Sequence, residues 1–421
     1  MHIKNIKTRY DMEKNSIPLM TFNKILATSC FILLLFCGSW HKGIEITRYV
    51  LIPLSLAFLY LFPEQRKKFF TSKELWLLTA FLGTACIGLL SGHHSLKGVD
   101  RILNWILALG AGFMAAATLG NKKSWLLAAL PLGLISYTLG AILLHTFDYT
   151  EVNIFAPERL MLFYTDGTQA NRLIILCGTA VLSSFFLAMP PQRNIFPRAF
   201  YACATGILFI LSFLTNARTG FFALLLASAM MLLVTFKKSI KKIIIAGLIL
   251  AAITLCIAQS PWAKKPAQRY KTVVTHVNTD ESFRQRFFIW HAAWNTFAKS
   301  PLFGHGFSTF RRAYHNKYSA ATKAPDFRKK YPCINPSTNN AHNFFLHFLA
   351  ETGIVGCLLM LGFWGMVMWK GFRSPSMLGA TIACVFLLSL LEFQMNMNLY
   401  DRHISTLLFT YAGIQASMET T

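Results

Sequence analysis

Residues 242–259, KIIIAGLILAAITLCIAQ, are followed by the polar, basic stretch SPWAKKPAQRYK at 260–271. Between Lys242 and Lys264 no residue is charged. A helix needs about 20 mostly apolar residues to cross the hydrocarbon of a bilayer. The run therefore reads as a membrane span, and the segment after it as chain returning to water. Working outward from it, similar runs occur at 24–40, 46–62, 75–91, 101–119, 124–145, 173–189, 199–215, 219–236, 343–369, 376–393 and 403–417. The expectation is an all-α integral membrane protein of about 12 transmembrane helices. The split of 199–236 at Thr215-Asn216-Ala217-Arg218-Thr219-Gly220 is the weakest division in this series.

Composition agrees with lipid as solvent. Of 421 residues, 54% are hydrophobic and only 14% charged, against about a quarter in soluble domains. The formal net charge is +24. In a soluble chain that would suggest nucleic acid. Here the basic residues fall mostly between the apolar runs, which points to topology signals and to anionic lipid or phosphate partners, with no nucleic acid. One alternate set of loops holds 19 Lys and Arg, among them Lys67, Lys123, Lys238 and Lys370; the short loops of the other set hold seven. The positive-inside rule then places both termini in the cytoplasm.

Three regions follow: 1–259 with the first nine spans, a large external loop domain at 260–341, and 342–421 with the last three spans. Within the loop, Phe283, Phe287, Trp290, Trp294 and Phe297 recur at offsets of 4, 7, 11 and 14, one face of a helix. That face is expected to pack on the bundle at the membrane interface. Eight cysteines lie in apolar runs and behave as small hydrophobes; Cys333 lies in the loop without an obvious partner.

The external residues that can carry chemistry are Arg and His rather than acidic pairs. No Asp-x-Asp, HExxH, GxSxG or glycine-rich phosphate loop appears in a usable context. Neither a cofactor nor a metal is expected. Guanidinium groups grip phosphate oxygens in pairs, so the Arg residues suit a diphosphate. Arg218 stands at a helix start, where unpaired N–H groups favour anions; read alone, it fits an interfacial anchor slightly better. Arg286 borders the aromatic stripe and alone fits a surface charge stacked on Trp290. His342 lies where the loop re-enters the membrane and can accept a hydroxyl proton. His347 is five residues on and faces elsewhere; packing or a hydrogen bond is its expected role. Glu351, deeper still, must be paired or protonated.

The stretches Arg286-Phe287-Phe288-Ile289-Trp290, Lys299-Ser300-Pro301-Leu302-Phe303-Gly304-His305-Gly306-Phe307, and His342-Asn343 with Leu349, Glu351, Gly353 and Gly356, resemble the O-antigen ligase/polymerase superfamily. The Thr215–Gly220 turn and Arg159 ahead of Asp166-Gly167-Thr168 add to the likeness. The resemblance implies a C-type glycosyltransferase (GT-C) fold in the bacterial inner membrane with a periplasmic active site. It implies transfer of glycan from undecaprenyl diphosphate to lipid A–core oligosaccharide, with inversion. Arg218 and Arg286 would bind the diphosphate and His342 would act as base. Arg159, Arg172 and Asn343 would be secondary substrate contacts. The alternatives are an O-antigen polymerase or a protein O-oligosaccharyltransferase using the same donor, or, in another class, a transporter of lipid-linked sugar.

Overall fold

The computed structural model describes residues 21–37, 41–90, 96–118, 124–146, 169–189, 195–215, 217–237, 239–259, 281–323, 338, 340–395 and 399–418. Those residues are helical, with turns between and no strand among them.

The first half runs through α1 (Thr21–Cys37), α2 (His41–Leu61), α3 (Pro63–Phe70), α4 (Lys73–Leu90) and α5 (Leu96–Ala108). A π-helical turn, Leu109–Met114, carries α5 into α6 (Ala115–Thr118). Then come α7 (Ala129–Thr146), α8 (Gln169–Ala188), α9 (Ile195–Leu214), α10 (Arg218–Thr235) and α11 (Ile240–Gln259). Two helices lie in the loop region, α12 (Glu281–Lys299) and α13 (Phe310–Lys323). The chain closes with α14 (Phe344–Arg373), α15 (Met377–Glu392) and α16 (Arg402–Ala416).

Helix occupies each apolar run read from the sequence, and α9 and α10 are separate, broken at the Thr215 turn. Among the described residues, α9, α10, α14 and Gly43–Leu61 of α2 are long and apolar enough to cross a membrane. Shorter apolar helices include Thr21–Cys37, Trp125–Gly140, Arg172–Ala188 and Met377–Glu392. This fits a membrane protein.

One core runs through the bundle. At its centre Phe81, Trp105, Phe307, Phe348 and Tyr400 meet mostly edge to face, with centroids 4.8–6.3 Å apart. At the other end of α4, the buried Glu74 is paired with Lys370 of α14 at 2.6 Å, so the two helices are tied where a lone carboxylate would be costly.

A second, smaller core joins Ile289, Ala292 and Ala293 of α12 to Phe310, Tyr314, Ala341 and Ala350. This corrects the expected orientation of α12. The small-residue face is the one that packs on protein; Phe287 and Trp294 of the aromatic stripe are 55% and 53% exposed. Close approach selects small side chains, while Phe287 and Trp294 face outward, where aromatics suit an interface, and Trp290 and Phe297 are half-buried.

The apolar run at 343–369 also differs from its reading as one straight span. α14 kinks at Gly353 (φ 66°, ψ −168°). Before the kink, Phe344 and Phe348 face the bundle core, while Leu346 and Ala350 face α12 and α13. That short segment is a wedge between the two cores.

Candidate functional site

The kink in α14 frees backbone groups that cannot be left unpaired in an apolar interior. The loop Pro301–Phe310 fills the break. His305 and Gly306 donate their N–H groups to the carbonyls of Ala350 and Glu351 at 3.1 and 2.9 Å. Ile354 N–H donates to the Pro301 carbonyl at 2.8 Å. The fit needs glycine on both sides: Gly304 and Gly353 both have positive φ, and a Cβ on Gly353 would overlap the Leu302 carbonyl.

Glu351 lies beside this junction, fully buried. Its carboxylate accepts the Ser308 N–H at 2.8 Å, the Phe310 N–H at 3.1 Å and the Tyr400 hydroxyl. His347 Nε2 stands 3.5 Å away on the same helix. The Arg101 guanidinium sits over the Tyr400 ring, 4.4 Å from its centroid. The carboxylate is thus paired as its depth requires.

His347 is also fully buried, and its Nδ1 accepts the Ala341 N–H at 3.3 Å. It therefore supports the peptide just before His342. His342 itself has φ 48°, an unusual conformation for a non-glycine residue. Its N–H donates to the Asn340 side chain at 3.1 Å, and its imidazole bonds the Met395 carbonyl. Nδ1 has no hydrogen-bond partner among the described residues. Burial, with the Arg286 charge as the next cause, lowers the pKa of His342 to about 4; the Met395 bond acts in the opposite direction. His342 is therefore neutral at pH 7, as a base must be.

Arg218 is the first residue of α10, as the sequence implied. The helix start is not an empty anion site, however. Glu392, fully buried at the end of α15, presents Oε2 to Gly220 so closely that a Cβ there would lie 2.9 Å from it. A positive helix end with Arg218 in the same turn favours that carboxylate. Three residues on, Met395 donates its N–H to the Glu392 carbonyl and bonds His342 through its own. The end of α15 thus connects the α10 start to the His342 turn, and Arg286 acts on His342 from α12.

The other residues named from the sequence fare differently. Arg172 is in α8 and pairs with Asp401 at 2.6 Å. The Asn343 side chain caps α14, accepting the Leu346 N–H at 3.0 Å. Arg159 and Cys333 lie outside the described residues. Sequence reasoning missed Tyr400 and Asp401. The signal was there: Asp401 precedes the last apolar run as an N-cap, accepting the N–H groups of His403 and Ile404. Among the described residues no three His, Cys, Asp or Glu gather in a metal-holding group.

A family model described as O-antigen ligase matches residues 203–361. The matched segment begins within α9, ends within α14, and takes in Arg218, Arg286, His342, Glu351 and the kink. The expected resemblance to the O-antigen ligase family is shown over that segment. No curated protein matches the chain.

Proposed function

We propose that a chain with this signature is an O-antigen ligase of the inner membrane, working on the periplasmic side with both termini in the cytoplasm. The observation that carries the reading is the gathering of Arg218, Arg286 and His342 around the end of α15, all within the matched segment. The donor is glycan on undecaprenyl diphosphate, and the acceptor is a hydroxyl of lipid A–core oligosaccharide. Twelve spans in a GT-C arrangement belong to the same proposal.

In this mechanism Arg218 and Arg286 hold the diphosphate. The acceptor hydroxyl oxygen attacks the anomeric carbon from the face opposite the diphosphate. The bond from that carbon to the phosphate oxygen breaks, and undecaprenyl diphosphate leaves with the electron pair. The hydroxyl proton passes to His342. Arginines at the leaving group matter most, because charge develops there. His342 supplies a neutral acceptor whose geometry is set by His347 through the Ala341 N–H. Arg159 and Arg172 remain secondary contacts in this reading, with Arg172 acting through Asp401.

The test is reconstitution of purified protein in proteoliposomes with undecaprenyl-diphosphate glycan and lipid A–core. Glycan appearing on lipid A–core is the expected result. Extension of the lipid-linked glycan alone would make the chain a polymerase. Movement of donor across the bilayer without transfer would make it a transporter.

A further inference from the structure

α10 packs on α8, α11 and α15, while α2, α5 and α16 pack on one another along a different flank. On that second flank lies a polar cavity of about 210 Å3, lined by Glu45, Arg48, Tyr49, Asp100, Asn104 and Arg402. Arg48 is 1% exposed; its Nε donates to Thr406 Oγ1 at 2.8 Å and its Nη2 to the Arg402 carbonyl at 2.9 Å. Arg402 pairs with Glu45, and Asn104 donates to the Asp100 carbonyl at 2.9 Å. These contacts fix the polar side chains around the cavity.

The surroundings of the cavity are apolar and open. Ile46, Val50, Val99, Leu103 and Ile106 are exposed beside it, and α2 continues with exposed Leu56 and Tyr60. A polar notch above an apolar wall matches an amphiphile whose head enters the notch and whose chains lie along α2 and α5. Charge narrows the head. Two guanidinium groups face two carboxylates, so a phosphate would meet Glu45 and Asp100 as well as the arginines. Hydroxyls both donate and accept, and therefore satisfy both kinds of partner. The Tyr49 ring offers an apolar face to a sugar. The volume is below the roughly 300–1,000 Å3 of sites for drug-sized ligands, which leaves room for a single sugar ring.

The notch is wired to the site. Three consecutive residues diverge from one turn: Tyr400 to Glu351, Asp401 to Arg172 and Arg402 to Glu45. We infer that this cavity binds a sugar of the acceptor glycolipid, so that donor and acceptor reach the reaction from different flanks of the bundle. The inference rests on the proposed ligase reading for the identity of the acceptor.

The experiment uses full-length protein in nanodiscs and labelled lipid A–core as probe. Asp100→Ala with Asn104→Ala should weaken lipid A–core binding about 10-fold or more and raise its KM in step, at unchanged donor affinity. Tyr49→Leu alters an exposed side chain, keeps the fold, and should weaken binding in the same direction. Unchanged acceptor affinity in both variants overturns the inference, as does a parallel loss of donor affinity. Displacement of lipid A–core by excess phosphatidylethanolamine overturns it too, making the notch a general headgroup site. If wild-type protein binds lipid A–core through Asp100 and Asn104 yet transfers nothing, the ligase reading fails and the notch stands. If it transfers and the variants bind normally, the reverse holds.

Discussion

The loop Pro301–Phe310 and the turn Asn340–Asn343 both attach to the first segment of α14, and they are held in opposite ways. The loop is locked: its N–H groups donate to α14 carbonyls before Gly353, its carbonyls accept α14 N–H groups after it, and two more of its N–H groups bond the Glu351 carboxylate. The turn is propped from one side by His347, carries His342 at φ 48°, and leaves the imidazole Nδ1 without a bond among the described residues. The lesson is that the longest motif in the sequence, Pro301 to Phe307, builds the frame. The shorter His342-Asn343 motif carries the imidazole to which the proposed function gives the proton transfer.

The strongest test of that contrast is Gly353→Ala. The new side chain meets the Leu302 backbone at a φ that disfavours any Cβ. The expected outcome is destabilisation of more than about 2 kcal/mol with loss of transfer, read by thermal unfolding and by yield. Wild-type stability would mean the loop is not locked by the break.

Next is His342→Ala, which should cut turnover about 10²–10⁴-fold, the usual worth of general acid–base help, with little change in unfolding temperature. His347→Ala should do the reverse in character. It removes the acceptor for the Ala341 N–H and should lower stability by about 1–3 kcal/mol, dragging activity with it. A stable but inactive His347→Ala would exchange the two assignments.

Smaller effects are expected from the arginines. Arg218→Ala and Arg286→Ala should each reduce transfer about 10–100-fold, and Lys should restore only part, since an ammonium cannot fork across two oxygens. Full activity in either Ala variant would remove that residue from the diphosphate site.

The mildest effect is on pH. His342, held at about 4 instead of its ordinary 6.5, should place the acid limb of kcat/KM near pH 4 and leave the rate flat through pH 6. Its pKa is depressed on folding, so the unfolded chain takes up the proton first. The stability tied to it is present above about pH 6.5 and lost as pH falls towards 4. An Arg286→Ala variant should move the limb upward, because one of the charges that repels the proton is gone.

Much of the fold was legible because lipid-facing helices write long apolar runs, and α9, α10 and α11 match theirs within a few residues. The kink at Gly353 was not legible, since its neighbours are as apolar as any span and only a loop some 50 residues earlier completes it. For the same reason the Arg172–Asp401 pair was invisible: nothing local in either residue names the other. Glu351 could be read as paired from its depth alone, but not with whom. Of the site, Arg218 at a helix start was readable; the facing Glu392 was not, because it closes an otherwise apolar helix.

The broken helix also imposes an order on biogenesis. Residues 301–310 leave the ribosome before residues 342–373 do, so the loop is made first and waits without its partner. When α14 enters the bilayer, the carbonyls and amides around Gly353 lack ladder partners until that waiting loop arrives. Neither piece is a finished unit alone. Insertion of α14 and docking of the Pro301–Phe310 loop between α12 and α13 are therefore a single assembly step. A chain that fails it leaves a helix with an open seam, its backbone polar groups unpaired in apolar surroundings.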